Sequence, residues 1–469
     1  MKKFLSLAVL LMAAFVGFTA CDNDDEYVED ILTVPGNSSM PGYTILTKNT
    51  YTKKQYGDLL LTEFMKYIST DKAPASVKAL TQMYLNNMMS ALPDETQFTV
   101  VNFNYRSFTN TYVDMSGQII VPTIGNKILK DTLVIDNRFT QLKNSEVPTK
   151  RLNVGASIAT TGCPVVTCDM AGYGTSRGER LNYHCYHLTS RNTIDAALAG
   201  IAVLHGPELG LDISDEPLPV YNEGYSQGGY GAMSVLKYLE NDATDFEKQQ
   251  LPLIKTVCGA GAYDPTRMLQ VIIDRWDEVY PYYCYIAAAF ETSFWYHHDW
   301  YRGSSWEITM KDIFSSKAYA TELNFMVTSH LYNTSEICNA FTEAMGGNEK
   351  CRAYDVLALE LFDTHTRVYQ TVMEKGKNES LVEGWVPKSR LHFYHAKNDE
   401  AVPVQCAQLA RTKFGNGATG NITYDIDTDV TKLLGFIDVE GLQPHTVGYF
   451  NFIIQNILED LQAKPNGNK

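Results

Sequence analysis

Gly224-Tyr225-Ser226-Gln227-Gly228 is the stretch that decides the fold. Residues 218–221 in front of it are apolar enough for a short buried strand, and residues 230–240 behind it have the spacing of a helix with one apolar face. A serine on a sharp turn between a strand and a helix needs glycines around it, because Cβ atoms there would clash where the backbone crosses itself. The pattern therefore predicts such a turn, with Ser226 as a candidate nucleophile.

Two further residues supply the partners that a nucleophilic serine needs. A hydroxyl attacks well only when an imidazole accepts its proton and a carboxylate orients that imidazole. Asp399 follows a predicted strand at residues 390–396, at the strand end where open α/β sheets place functional side chains. His445 is the only one of the ten histidines that lies after Asp399, and it precedes an apolar helical stripe at residues 447–461. The order serine, acid, histidine predicts a catalytic triad of Ser226, Asp399 and His445.

Each member of this predicted triad has rivals or a plainer interpretation. A second pentapeptide of the same form, Gly174-Thr175-Ser176-Arg177-Gly178, follows a strand-like segment but leads into no apolar helix, so Ser176 is the weaker candidate. His445 could also be an ordinary polar loop residue. The polar stretch 415–429 is expected to form a hairpin or an insertion, and other acids lie in or near it: Asp425, Asp427, Asp429 and Asp438.

Together these motifs resemble the α/β-hydrolase superfamily, over roughly residues 100–263 and 387–461. The long insertion before the acid is most similar to the secretory-lipase and esterase branch. The resemblance implies an α/β fold with a doubly wound, mostly parallel sheet and a helical, aromatic-rich lid insertion. It also implies cleavage of a small-molecule or lipid carboxylic ester through an acyl-enzyme, without a cofactor. A serine peptidase of the same fold, or a non-catalytic surface protein that binds a glycan or lipid, remains an alternative.

The predicted oxyanion hole departs from the pattern of many relatives, which carry a His-Gly pair after the third strand. Here the strand-like residues 133–135 run into Asp136-Asn137-Arg138-Phe139-Thr140-Gln141. Two N–H donors must meet the oxygen that becomes negative in the transition state. We expect the amide of Gln227 and a second amide, from Phe139 or Thr140, to supply them. The alternative is that residues 138–140 form an ordinary loop.

The N-terminus has the layout of an export signal. Lys2 and Lys3 precede an apolar run at residues 4–18, which ends at Thr19-Ala20-Cys21. This arrangement resembles a bacterial lipoprotein signal, which implies that Cys21 is lipidated and anchors the chain to a membrane. The acidic residues 22–30 resemble the export signal of surface lipoproteins in Bacteroides-like bacteria, which implies an outer-membrane or cell-surface location. The alternative is a plain secreted protein with a chance cysteine at the cleavage site.

Composition limits the classes of partner. The formal net charge of −15 argues against a nucleic-acid-binding protein, because such proteins cluster lysine and arginine. With 469 residues, 45% of them hydrophobic, the chain can bury a sizeable core. The sequence divides into a signal peptide (1–20), a lipidated acidic tether (21–45), an N-terminal helical arm (46–97), a first core part (98–263), a lid insertion (264–386) and a second core part (387–465).

The predicted lid contains all five tryptophans, Trp276, Trp295, Trp300, Trp306 and Trp385. Most of its aromatic rings are expected to pack inside a small helical domain, although a subset could line an apolar cleft over Ser226. No metal is predicted, because the adjacent residues His297-His298-Asp299 do not share a helix face and have no third ligand at a suitable spacing. Eight cysteines remain besides Cys21, and Cys338 with Cys351 is the disulfide pair we expect.

Overall fold

A computed structural model describes residues 35–68, 75–109, 111–152, 154–296, 307–430, 432–433, 437–438 and 442–462. Their strands form one sheet of ten and a separate pair, and the sheet order is β1-β2-β3-β6-β5-β7-β8-β9-β10 with β4 beside β3. The strands are β1 (Tyr43–Thr52), β2 (Gln97–Phe108), β3 (Tyr112–Ile124), β4 (Lys127–Ile128), β5 (Leu133–Asn137), β6 (Val165–Cys168), β7 (Val220–Tyr225), β8 (Leu253–Gly259), β9 (Leu391–Tyr394), β10 (Ile422–Asp425), β11 (Lys432–Leu433) and β12 (Ile437–Asp438).

Helices flank the sheet and fill the insertion. They are α1 (Lys53–Ile68), α2 (Ala75–Ser90), α3 (Tyr186–His205), α4 (Gln227–Asn241), α5 (Asp245–Gln250), α6 (Pro265–Asp274), α7 (Tyr283–Tyr296), α8 (Met310–Ile313), α9 (Ser316–Tyr319), α10 (Leu323–Thr328), α11 (Thr334–Met345), α12 (Ala353–Val356), α13 (Arg367–Gly376), α14 (Gln405–Phe414), α15 (Pro444–Asn451) and α16 (Glu459–Gln462), with a π-helix at Phe452–Leu458. Short 3₁₀ helices lie at Asn144–Glu146, Val154–Thr161, Gly174–Ser176, Asn348–Lys350, Leu359–Phe362 and Lys377–Glu379. Within these described elements, no helix combines the length and apolarity needed to cross a bilayer.

The sheet is mostly parallel, as predicted. The run β6-β5-β7-β8-β9-β10 is parallel, whereas β1, β2 and β3 pair antiparallel at one side. From β5 the chain passes to β6 on one side and then crosses to β7 on the other, so the strand order reverses beside β5. Open α/β sheets bind ligands at the carboxyl ends of the strands around such a reversal. The loops after β5 and β7 therefore lie where a functional site is expected.

Both faces of the sheet are buried. Along β3, Ile119 and Val121 pack into a core with α3 and α4, while Ile120 between them packs into a second core with α1 and the π-helix. This alternation follows from the two-residue period of a strand. Helices on both faces make the doubly wound architecture that was predicted from the sequence.

Helices α6 to α13 of the insertion form a third core, which they share with loop residues of the sheet domain such as Leu142, Tyr183 and Val402. The local sequence of the insertion explains where helices begin and end. Asp264 caps α6 by accepting the N–H of Arg267, and Pro265 occupies the first turn, where a missing N–H costs nothing. Asn333 and Glu336 form a capping box at the start of α11, and Gly346 ends that helix in the left-handed conformation, at φ 95°.

Two expectations about local structure differ from the fold. The stretch 415–429 does not form a hairpin, because Ile422–Asp425 is an edge strand that pairs parallel with β9. The N-terminal arm is not purely helical, since β1 extends the sheet by pairing with β2 over the register Tyr43 to Thr52. The side chains of β1 are mostly exposed, and the sequence shows no clear apolar alternation from which to predict the strand.

The expected disulfide between Cys338 and Cys351 is wrong. The Cys351 thiol instead donates to the Thr342 hydroxyl at 3.7 Å, and the eight described cysteines are free. The Gly-rich turn after α11 does return the chain toward that helix. It brings Cys351 against Thr342, one helical turn along α11 from Cys338.

Candidate active site

Ser226 lies on the sharp turn between β7 and α4 that the sequence predicts. Its φ of 60° is in the left-handed region, where a residue with a Cβ is strained. The turn can close because glycines surround it. A Cβ on Gly224 would come within 2.1 Å of the Gly228 carbonyl oxygen, and a Cβ on Gly228 within 2.0 Å of the Asn137 carbonyl oxygen. Glycine therefore occupies the two positions of the pentapeptide at which a Cβ would clash with a neighbouring backbone carbonyl.

The structure brings Ser226, His445 and Asp399 into one hydrogen-bonded chain. His445 Nε2 is 3.0 Å from Ser226 Oγ, and His445 Nδ1 is 2.7 Å from Asp399 Oδ2. The other oxygen of Asp399, Oδ1, accepts the backbone N–H groups of Ala401 and Val402 at 2.9 and 2.8 Å. These two bonds fix the carboxylate, so that Oδ2 faces the imidazole.

Electrostatics at these groups favour a charged carboxylate beside a basic imidazole. Burial alone would raise the pKa of Asp399, yet the charge of His445 and the hydrogen bonds to the carboxylate hold that pKa below its ordinary value. Burial alone would lower the pKa of His445, but the charge and hydrogen bond of Asp399, together with the charge of Glu400, raise it. The imidazole is therefore a better proton acceptor than an isolated buried histidine would be.

His445 is also held through its backbone, by residues that sequence reasoning missed. Its N–H donates to Glu400 Oε2 at 3.0 Å, and its carbonyl accepts the Tyr225 hydroxyl at 2.9 Å. The second oxygen of Glu400 accepts the hydroxyl of Tyr282, just before α7, at 3.2 Å. The Glu400 carboxylate therefore joins Tyr282 of the insertion to the loop that carries His445.

Glu400 supplies the first prediction. Replacing Glu400 with glutamine removes a negative charge that raises the pKa of His445, while the amide oxygen can still accept the His445 N–H. Activity requires the neutral imidazole and falls as the pH drops through the pKa of His445. We expect the acidic limb of a kcat/KM against pH profile to move to lower pH in Glu400→Gln. An unmoved limb would contradict the assignment, and Glu349→Gln at an exposed site is the control.

The candidate oxyanion donors border Ser226 from two elements. Gln227 is the first residue of α4, where backbone N–H groups have no partner within the helix. The loop after β5 lies against the same turn, because the Asn137 carbonyl approaches Gly228. In that loop the Thr140 hydroxyl is 3.0 Å from the Tyr183 hydroxyl, and the Phe139 ring packs at 5.3 Å from that of Tyr449. Side-chain contacts therefore hold the loop that contains both expected donors, Phe139 and Thr140.

A buried ionic cluster supports this loop from inside the sheet. Arg138 pairs with Asp136 at 2.9 Å and donates through Nε to the Thr167 hydroxyl. Burial and the neighbouring Asp136 raise the pKa of Glu223 well above its ordinary value.

The rivals of the triad residues lie elsewhere. The Ser176 hydroxyl is buried in a 3₁₀ helix and donates to the Tyr173 carbonyl, which leaves it in a structural bond. Asp425 ends the edge strand β10, and Asp427 pairs with Arg411 at the surface. The side chain of Asp438 is outside the described part of the structure.

An apolar cavity that is partly open to solvent lies in the insertion, between α6, α7 and α13. Its lining includes Leu269, Ile286, Ala289 and Phe290, with His184 at one side. His184 follows Tyr183, whose hydroxyl contacts Thr140 in the candidate oxyanion loop. Two consecutive residues, His184 and Tyr183, thus contact the cavity and the candidate oxyanion loop respectively.

Several predicted residues lie outside the described residues or away from Ser226. The first group comprises Cys21, Trp300, Trp306 and His297-His298-Asp299, and the side chain of Trp295. Trp276 is 53% exposed, and Trp385 packs against Phe414 in a core of the sheet, so neither forms a roof over the serine. The described residues contain no group of three or more His, Cys, Asp or Glu side chains arranged to bind a metal.

Comparison with solved structures finds similar folds at low sequence identity. The rice cell wall degrading esterase LipA from Xanthomonas oryzae matches with a TM-score of 0.61 and 15% identity, over 89% of this chain and 96% of that one. A Legionella pneumophila protein gives 0.63 and 15% over 91% and 99%. Candida antarctica lipase A in its closed state gives 0.50 and 14% over 74% and 75%. No protein-family model and no curated protein sequence matches the chain.

Proposed function

Since the chain has the α/β-hydrolase fold, we propose that it is a serine hydrolase that cleaves carboxylic esters. One observation carries the proposal: Ser226, His445 and Asp399 form a continuous hydrogen-bonded chain beside a helix N-terminus. A Ser-His-Asp chain next to unpaired amides is the arrangement that acyl transfer requires.

The proposed reaction has two halves. Ser226 Oγ attacks the ester carbonyl while His445 Nε2 takes its proton, and Asp399 stabilises the imidazolium that forms. The Gln227 amide and an amide of Phe139 or Thr140 hold the negative oxygen. His445 then gives its proton to the departing alcohol, and an acyl group stays on Ser226. Water, activated by the same histidine, releases the acid.

We propose that the acyl group extends toward the apolar cavity of the insertion, which argues for a substrate with a hydrocarbon chain. Each methylene that is buried adds about 0.8 kcal/mol until the space is filled. We expect kcat/KM to rise from acetyl to butyryl to octanoyl nitrophenyl esters. Ala289→Phe, which fills the cavity, should lower octanoyl turnover more than acetyl turnover, while Ala344→Phe on the exposed side of α11 should change neither.

The same panel separates the alternatives. Equal losses on all three esters in Ala289→Phe would show that the cavity only holds the insertion together. A strict preference for acetyl esters would indicate a small pocket, as for decorated glycans. Faster cleavage of aminoacyl nitroanilides than of any ester would favour a serine peptidase. Absence of turnover on all of these substrates would leave the non-catalytic binding protein as the better account.

We also propose that the protein is an exported lipoprotein of the outer membrane or cell surface, anchored through Cys21. The support is the sequence alone: two lysines, an apolar run and a small-residue site ending in cysteine. Metabolic labelling with a fatty acid should mark the wild-type chain, and Cys21→Ser should abolish the label and release the protein from membranes. An unlabelled wild-type chain would refute the anchor.

A further inference from the structure

Two cysteines of the insertion lie side by side although they are 54 residues apart in sequence. The Sγ atom of Cys284 in α7 is 3.6 Å from the Sγ atom of Cys338 in α11. One turn along, the Tyr283 and Phe341 rings pack at 5.8 Å, so the two helices face each other over more than one residue pair. The contact is part of the packed core of the insertion and not a chance meeting of two surface loops.

Both thiols are free in this structure, and we propose that on oxidation Cys284 and Cys338 form a disulfide that joins α7 to α11. A disulfide has sulfur atoms about 2.05 Å apart, so the two atoms need to approach by about 1.5 Å, which small side-chain rotations can supply. The other insertion cysteine, Cys351, is engaged by Thr342 and the Gly347 carbonyl. The inference goes beyond the proposed ester hydrolysis and does not depend on it.

The bond needs an oxidant, and a disulfide-bearing one such as oxidised glutathione or an exported thiol oxidase suffices. Cys338 is half-buried and Cys284 is buried, so the Cys338 thiolate meets the oxidant first. It attacks one sulfur of the oxidant, which forms a mixed disulfide and releases the first thiol. Cys284, deprotonated in turn, attacks the Cys338 sulfur and releases the second thiol. Two protein thiols thus lose two electrons and two protons, and the oxidant gains them.

The disulfide would act close to the candidate active site. Tyr282, two residues before Cys284, donates its hydroxyl to Glu400, and Glu400 accepts the backbone N–H of His445. A covalent link at Cys284 would fasten the start of α7, which Tyr282 immediately precedes. It would therefore steady the contact through which the insertion touches the histidine loop.

The test is a thiol count on the folded, mature chain. The protein is incubated with oxidised glutathione, quenched in acid, denatured, alkylated and digested for mass spectrometry. We expect one linked peptide pair that contains Cys284 and Cys338, a loss of two alkylated thiols, and alkylation of the other six described cysteines. Alkylation of both residues after oxidation, or linkage of either to another cysteine, would overturn the proposal.

Cysteine-to-serine variants give a second test of the disulfide that does not depend on enzyme activity. In Cys284→Ser the second step is blocked, so a glutathione adduct should persist on Cys338. Cys351→Ser should leave the Cys284–Cys338 link intact. A persistent adduct on Cys338 in the wild-type chain would show that the two sulfurs cannot meet, and it would also overturn the proposal. Failure of the ester panel would not affect any of these outcomes.

Discussion

Ser226→Ala is expected to lower kcat for a short-chain nitrophenyl ester by about 10⁴-fold or more. The reason is geometric, because the Ser226 hydroxyl is the one placed 3.0 Å from His445 Nε2 on a turn that points it out of the sheet. His445→Ala should cost about as much, since an unactivated hydroxyl attacks poorly. Asp399→Asn should cost somewhat less, because the imidazole remains but loses its orienting charge.

Combining two of these substitutions tests whether Ser226, His445 and Asp399 act as one catalytic unit. If the three residues act together, the double variant Ser226→Ala with His445→Ala should be barely worse than either single variant. Ser176→Ala is the matched control from the rival pentapeptide and should retain wild-type turnover. Full activity in Ser226→Ala, or loss of activity confined to Ser176→Ala, would remove Ser226 from the mechanism.

Arg191→Leu is expected to lower the free energy of unfolding by about 3–5 kcal/mol, the usual effect of breaking a buried ion pair from one side. Arg191 is 1% exposed and lies 2.7 Å from Asp195 in its own helix α3 and 2.6 Å from Glu247 in α5. Its removal leaves two buried carboxylates without a cation. The measurement is the midpoint of urea unfolding, followed by circular dichroism.

Two comparisons isolate the charge effect from the loss of packing. Arg411→Leu breaks an exposed pair with Asp427, so it should change stability by less than about 1 kcal/mol. Adding Asp195→Asn and Glu247→Gln to Arg191→Leu should restore part of the loss, since the uncompensated charges are then gone. A midpoint for Arg191→Leu that matches the one for Arg411→Leu would mean that water or a rearrangement relieves the buried carboxylates.

The fold class was predictable because its signals are local. The glycines around Ser226 and the apolar run after it specify a strand, a turn and a helix within about twenty residues, and the doubly wound sheet that they imply is confirmed. The edge strand β10 was mistaken for part of a hairpin or insertion because four residues between polar neighbours do not reveal their partner. The pairing of β10 with β9 depends on residues that are distant in the sequence.

The candidate site was predictable only in part, for the same reason. The residue types and chain order of Ser226, Asp399 and His445 were visible, and the structure brings them together, although their catalytic role stays a prediction. Glu400 was missed because its contacts are with His445, 45 residues later, and Tyr282, 118 residues earlier. Its position next to Asp399 was the one available signal, and adjacency in sequence does not show where a second carboxylate points.

Ser226 and His445 are 219 residues apart, on segments that meet only when β9 and the closing helices join the sheet. A chain in which β7 and its turn have formed, but β9 and the C-terminal helices have not, lacks the proton acceptor. Such a chain carries a hydroxyl with no base beside it. The proposed activity would therefore begin only once the C-terminal segment that carries His445 has joined the sheet.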